Sequence, residues 1–265
     1  MFDDLGSFIK SNFEDRTRIL LPRRTYCIVR VDGKSFSKYT SRFAKPFDYD
    51  FIEDMNTTAK HLCRNMMGAV CGYVFSDEIS ILLTDFAQDQ TQAYFDGNIQ
   101  KIASVSASLA TGEFNRQRIK RDPSAIDNMA CFDGRVFSIP DYSYVIRYFQ
   151  WRQMDCTRNS ITSAARAIFS HNQLNGKNTK EMQAMLLERD INWNDYPVGA
   201  KRGRFVIKVN QERLVEYEVK GEKRAELVIR SGWEVGEPDI WTRNTSQLVD
   251  AIPSIPAFQS LSPEG

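Results

Sequence analysis

No hydrophobic run in the sequence approaches the ~20 residues that a bilayer-crossing helix requires. The first residues, MFDDLGSFIK, hold neither the basic cluster nor the apolar stretch of a secretory signal. Histidine is scarce, with only His61 and His171, and the five cysteines (27, 63, 71, 131 and 156) form no CxxC pair. A zinc site therefore has too few ligands at a usable spacing. Three of the thiols lie inside apolar runs, and an odd, scattered set reads as small buried hydrophobes in a reducing compartment. A charge excess of either sign is also missing, since 35 Lys and Arg face 34 Asp and Glu, so net charge names no partner. The expectation is a cytoplasmic protein with no membrane partner.

What is present starts with Thr25–Phe36, TYCIVRVDGKSF. Tyr26, Ile28, Val29 and Val31 make a β-branched and aromatic run without helical period. It ends at Asp32-Gly33, a pair suited to bending the backbone. A core strand thus presents a carboxylate at the rim of a sheet. A second acidic turn, Ser76-Asp77-Glu78, separates the strand-like runs Ala69–Phe75 and Ile79–Thr84. An Asp-Gly turn alone is most often only a turn, so the argument rests on the pair.

At 265 residues the chain can bury a large core. Asp3–Arg16 reads as an opening helix with Leu5, Phe8, Ile9 and Phe13 at helical spacing, and Tyr49–Met67 as a second, with Gly68 as its C-cap. Ile99–Phe114 returns to helical period, and Ala130–Ile139 reads as a fourth strand that Asp133-Gly134 bulges. The order is β-α-β-β-α-β, the ferredoxin-like unit. Its usual strand order sets the third strand antiparallel beside the first, so Asp32 and Asp77 meet at one edge. Clustered carboxylates repel unless a cation neutralises them, and hard oxygen ligands suit magnesium. Two such ions ~3.5–4 Å apart can activate a hydroxyl and stabilise leaving pyrophosphate.

Asp141 opens a long helix, in which Val145, Tyr148, Phe149, Arg152 and Cys156 share a side. A shorter helix follows over Lys180–Arg189. Phe205–Val209, Leu214–Val219 and Ala225–Ile229 then read as a small β-meander. From Trp233 periodicity fades, and Pro253–Gly265 reads as a mobile tail. Arginine and lysine cluster at 16, 18, 23 and 24, at 116–121, and at 201–204, where they would suit a phosphate backbone if they shared a surface.

The segments VRVDGKSF, FAKPFD, YVFSDEISILL, QKIASVSAS, CFDGRVFSIP, YFQWRQMDC and KRGRF span about residues 25–205. In that order they resemble the tRNA-His guanylyltransferase superfamily, specifically its bacterial and archaeal-type 3′→5′ polymerase branch. The resemblance implies an α+β fold: a polymerase-like palm with an N-terminal helix over 1–140, a helical and β-meander extension over 141–232, and an irregular Pro-containing tail over 233–265. It implies a homotetramer, tRNA, ATP and GTP or other NTPs as partners, and two Mg2+ ions. Asp32 and Asp77 with the Gly33 carbonyl would bind the ions, and Glu78 would support the catalytic cluster. Asp32, Gly33, Lys34, Ser35, Phe36, Ser37, Ser76 and Asp77 would contact nucleotide, and Lys45 the activating triphosphate. Arg30, Lys101, Arg135 and Asn159 would contact tRNA.

One departure bears on specificity. Eukaryotic members carry HINNLYNT after an Asp-Cys pair, where this chain has TRNSITSA after Asp155-Cys156. Asn159 aligns with an asparagine of that motif, but Thr157 replaces its histidine. This pattern implies templated 3′→5′ addition of nucleotides to 5′-truncated tRNA. A dedicated tRNA-His guanylyltransferase adding a single 5′ G is the alternative. Two further readings are a GGDEF-like nucleotide cyclase, whose signature is missing, and a non-catalytic RRM-like RNA-binding module, which leaves the acidic rim unexplained.

Overall fold

The computed structural model describes residues 2–219, 222–242 and 245–256. It opens with α1 (Phe2–Ile9), continued by a π turn over Lys10–Glu14 and a 3-10 turn over Asp15–Thr17. Leu5, Phe8, Ile9 and Phe13 in this segment are all exposed. Then come β1 (Tyr26–Gly33), α2 (Phe36–Tyr39), α3 (Tyr49–Asn65), β2 (Ala69–Phe75), β3 (Glu78–Leu83), α4 (Ile99–Arg121) and β4 (Phe132–Ile139). The α+β palm unit is therefore present in the expected order. Its sheet continues beyond it, because β5 (Arg204–Val219) and β6 (Glu222–Gly236) extend the order to β4-β1-β3-β2-β5-β6, antiparallel throughout.

Alternation along β1 divides the core. Val29 and Val31 pack with Met55, Ala59, Leu62, Ile102 and Phe114 under α3 and α4. Tyr26 and Ile28 pack on the opposite face with Val145, Ile146 and Phe149 of α5 (Tyr142–Arg166). Burying these side chains from both sheet faces contributes roughly 1.5–3 kcal/mol each before chain entropy is counted. A third cluster joins the end of α5 to α6 (His171–Leu174) and α7 (Thr179–Leu187), with Phe169, Leu186 and Trp193 buried. α8 (Val198–Arg202) leads into β5, and α9 (Ser246–Ala251) closes the described chain.

Several elements depart from the reading of the sequence. α4 runs two turns further than the apolar period, so Arg116, Arg118 and Arg121 lie on it rather than after it. Arg118 and Arg121 pair with the buried Asp54 at 2.9 and 3.0 Å, which spends the charge that suggested a phosphate surface. The cluster before β1 is spent likewise: Arg23 binds Asp85 at 2.6 Å and Arg24 lies 3.5 Å from Asp89. Gly134 causes no register shift against β1; a Cβ there would stand 2.6 Å from the Ala103 carbonyl, so the glycine admits α4. α3 is capped at Met66, and Gly68, at φ +80°, forms the turn beyond.

The expected three-stranded meander is one two-stranded ribbon, and its first segment pairs with β2 through Cys71–Val74. Trp233 belongs to β6. Beyond it, Trp241, Leu248 and Ile252 are buried against Tyr73, Phe149 and Phe205, and the Tyr26 hydroxyl donates to the Pro253 carbonyl at 2.8 Å. Isolated large side chains dock this segment without any period. Residues 257–265 of the tail lie outside the described residues.

Candidate active site

β1 and β3 are paired in register with Asp32 opposite Glu78, and the β2–β3 turn stands beside the end of β1. The Gly33 amide donates to the Asp77 carbonyl at 3.2 Å, so a main-chain bond ties the two acidic turns together. Ser76 holds a left-handed conformation at φ +46°, and its hydroxyl donates to the Asp77 carboxylate at 2.9 Å. Gly33 is required by packing, since a Cβ would lie 2.2 Å from the Phe36 ring. Phe36 itself is a core residue, in contact with Phe51, Phe114 and Phe132.

Burial raises the Asp32 carboxyl above its ordinary range, and Asp133 adds to the rise while Arg135 and Arg30 oppose it. Asp77 is raised too, by burial first, with the Ser76 hydrogen bond lowering it and the Asp32 charge raising it. Two partly desolvated acids that repel each other make a place for a hard cation. Glu78 differs from this pair. Its carboxylate is buried in a bidentate pair with Arg152, at 2.8 and 2.5 Å, and Arg152 also reaches Asp155 at 3.2 Å. Burial raises Glu78 and the guanidinium opposes that rise. Glu78 is therefore a brace between sheet and helix beside the acidic pair.

Two hollows open at this rim. The larger, about 780 Å³, lies between the loop before α3 and the second half of α5. Asp32, Gly33, Ser35, Phe36, Ser37, Lys45, Ser76, Asp77 and Asn159 line it, joined by Phe43, Ala44, Phe47 and Arg204. The smaller, about 390 Å³, lies against α5 and is lined by Arg30, Asp32, Asp77, Glu78, Trp151, Arg152 and Asn159. Lys34 lines neither hollow, and its amide donates to the Cys131 carbonyl at 2.8 Å. Lys101 and Arg135 also line neither; Arg135 is paired across the strands with Arg30 and lies 4.0 Å from Asp133. Lys45 donates to the Thr40 carbonyl at 3.0 Å on an exposed loop.

Trp151 was hidden within the motif YFQWRQMDC, and Arg204, expected in a basic cluster suited to phosphate, is buried instead. Arg204 donates to Asn56 at 2.8 Å and to the Gly199 carbonyl at 3.3 Å, and the Glu53 charge lies near it. Burial depresses it to about 10. The signal for Arg152 was legible: an arginine on the apolar side of a helix needs a buried acid.

A family model described as Thg1, tRNAHis guanylyltransferase, matches residues 7–140. The tRNA(His) guanylyltransferase of Debaryomyces hansenii is 30% identical over 225 residues, covering 75% of this chain and 81% of that protein. A solved bacterial tRNA(His) guanylyltransferase-like protein in complex with ATP superposes with a TM-score of 0.79 at 42% identity, covering 92% of this chain and 98% of that one. A complex of such a protein with GTP superposes at 0.71 and 41% identity, covering 89% and 93%. Matching sequence and matching fold lead to one conclusion: the chain belongs to the tRNAHis guanylyltransferase (Thg1) family of nucleotidyltransferases.

Proposed function

We propose that this enzyme adds nucleotides to the 5′ end of tRNA in the 3′→5′ direction, reading the opposite strand as template. The carrying observation is the larger cleft, where the Asp32–Asp77 pair faces the loop holding Lys45 in a space able to take a nucleoside triphosphate. The bacterial structures in complex with ATP and with GTP support nucleotide binding by this fold.

In the first step an oxygen of the tRNA 5′-monophosphate attacks the α-phosphorus of ATP or GTP, and the bond to pyrophosphate breaks. In the second, the 3′-hydroxyl of an NTP attacks the 5′-phosphorus, loses its proton, and expels AMP or GMP. A tRNA already bearing a 5′-triphosphate needs only the second step, releasing pyrophosphate. Asp32, Asp77 and the Gly33 carbonyl are the oxygen donors that would hold Mg2+. Mg2+ held by so few protein oxygens would keep positions for phosphate oxygens and water, as magnesium sites usually do. Bound there, the ions would offset charge on the reacting oxygens. Ser35 and Ser37 supply hydroxyl donors to phosphate, Ser76 holds the Asp77 carboxylate in place, Lys45 supplies a mobile positive charge, and the Glu78–Arg152 brace a fixed wall. Protein catalysis here is positioning and charge neutralisation.

The template reading rests on TRNSITSA standing where eukaryotic relatives carry HINNLYNT. Incubating labelled 5′-monophosphorylated tRNA lacking its first nucleotide with magnesium and each NTP, opposite each of the four template bases, tests it. Addition of the Watson–Crick partner in every case is expected. Guanosine added regardless of template, and only to tRNA-His, would make this a dedicated tRNA-His guanylyltransferase. Sedimentation is expected to give the homotetramer implied by the resemblance.

A further inference from the structure

The smaller hollow holds groups that the nucleotide cleft leaves unused. Trp151 is 52% exposed, although it is the largest side chain on α5. Its ring rests against the Arg152 guanidinium at 4.3 Å and meets Tyr148 edge-on at 6.0 Å. Arg152 is in turn fixed by Glu78 and by the Phe75 ring at 5.0 Å. The indole is therefore backed by a buried, ion-paired support while much of it faces solvent. Arg30 lines the same hollow, makes no ion pair among the described residues, and has a buried Nε without a partner. Asp32 and Asp77 form the boundary shared with the nucleotide cleft.

A flat, pre-fixed π surface beside an unpaired arginine fits a nucleobase next to a phosphate. We propose that Trp151 is the stacking platform for the 5′-terminal base of the RNA acceptor strand, with Arg30 facing that strand's phosphate. This rests on the proposed RNA 5′-end activity and adds where the acceptor end lies. Exposed positions on α5 favour RNA over a second free nucleotide. Tyr144, Arg147, Trp151, Met154 and Arg158 recur at spacings of three and four and are all exposed, making one aromatic and basic stripe. At 1.5 Å per residue that stripe is roughly 21 Å long, with Trp151 at the hollow midway along it, a length suited to a polymer.

The full-length protein is assayed with a 5′-triphosphorylated, 5′-truncated tRNA, so that activation plays no part. Trp151→Ala is expected to raise the KM for tRNA about ten- to a hundredfold, the scale of one lost base–aromatic stack. The KM for NTP is expected to stay within twofold, and Trp151→Phe to restore most of the affinity. Trp151→Leu, which keeps apolar bulk without a π face, is expected to behave like the alanine variant. Independently of turnover, 2-aminopurine at the 5′-terminal position of tRNA is expected to be quenched by the wild-type protein, but not when placed five nucleotides inward. An unchanged KM for tRNA in the alanine and leucine variants, a rise in the KM for NTP instead, or equal quenching at both positions would overturn the proposal. So would a change in sedimentation on Trp151→Ala, because the indole would then be covered by another copy. Absence of any 5′ extension by the wild type would sink the proposed activity, while the fluorescence measurement would still decide the role of Trp151.

Discussion

Asp32 is raised by burial and by Asp133, and Asp77 by burial and by Asp32, so removing either charge relieves repulsion in the metal-free protein. Asp32→Ala and Asp77→Ala are each expected to lower nucleotide addition at least about a thousandfold while leaving the melting temperature unchanged or higher. Near-normal turnover in either variant would remove both carboxylates from the chemistry. Lys45 separates the two steps. Its ammonium sits on an exposed loop and binds only a carbonyl, so it is free to move onto a triphosphate as a point charge. Lys45→Ala is expected to slow extension of monophosphorylated tRNA about tenfold or more, and that of triphosphorylated tRNA much less. Equal losses on both substrates would assign it to general binding. At this scale the sequence was legible where chemistry repeats a pattern, in VDG and SDE. Glu78, expected to support the acidic pair, is tied instead to Arg152, a partner seventy-four positions away that the motif does not reveal.

Elements were legible in proportion to their burial on one face. β2 coincides with its apolar run, because both its ends are marked by turns. α4 outruns its apolar period because its last turns are held by charge: Arg118 and Arg121 reach across to α3. Another such contact gives a pH test. Glu113 is held below the ordinary carboxylate range, first by its hydrogen bond to Arg116, with Gln117 and His61 assisting. A depressed value contributes stability that is complete above the unfolded carboxylate range, near ~4.3, and is lost as pH falls through the folded value. Glu113→Gln is expected to lower stability at neutral pH and to flatten the acid limb of a denaturation series. A parallel acid limb in variant and wild type would show that Glu113 does not contribute. The β-meander failed as a reading because polar residues such as Asn210 and Gln211 resemble turn positions. In a ribbon beyond the core, both faces meet water and no alternation is needed to hold the ladder.

For the whole molecule, the sheet thins from six strands to two. β5 pairs with β2 only as far as Ile207, and the remainder of the ribbon has only itself as partner. Isolated two-stranded ladders are marginal in water. Backbone amides of Gln211, Val215, Val228 and Arg230 are therefore expected to exchange with solvent far faster than those of Val29 and Ile81. Protection equal to that of the central strands would mean that another chain covers the exposed Leu214, Leu227 and Ile229. The hydrogen bond from the Gly33 amide to the Asp77 carbonyl has a different reach. It fixes the spacing of the two acidic turns through main-chain atoms, which no side-chain replacement removes. Selection can therefore rewrite loops, cleft walls and the helix proposed to face RNA while the separation of the two acidic turns stays constant. Such a site is built to change its substrates over evolutionary time without having to reinvent its chemistry.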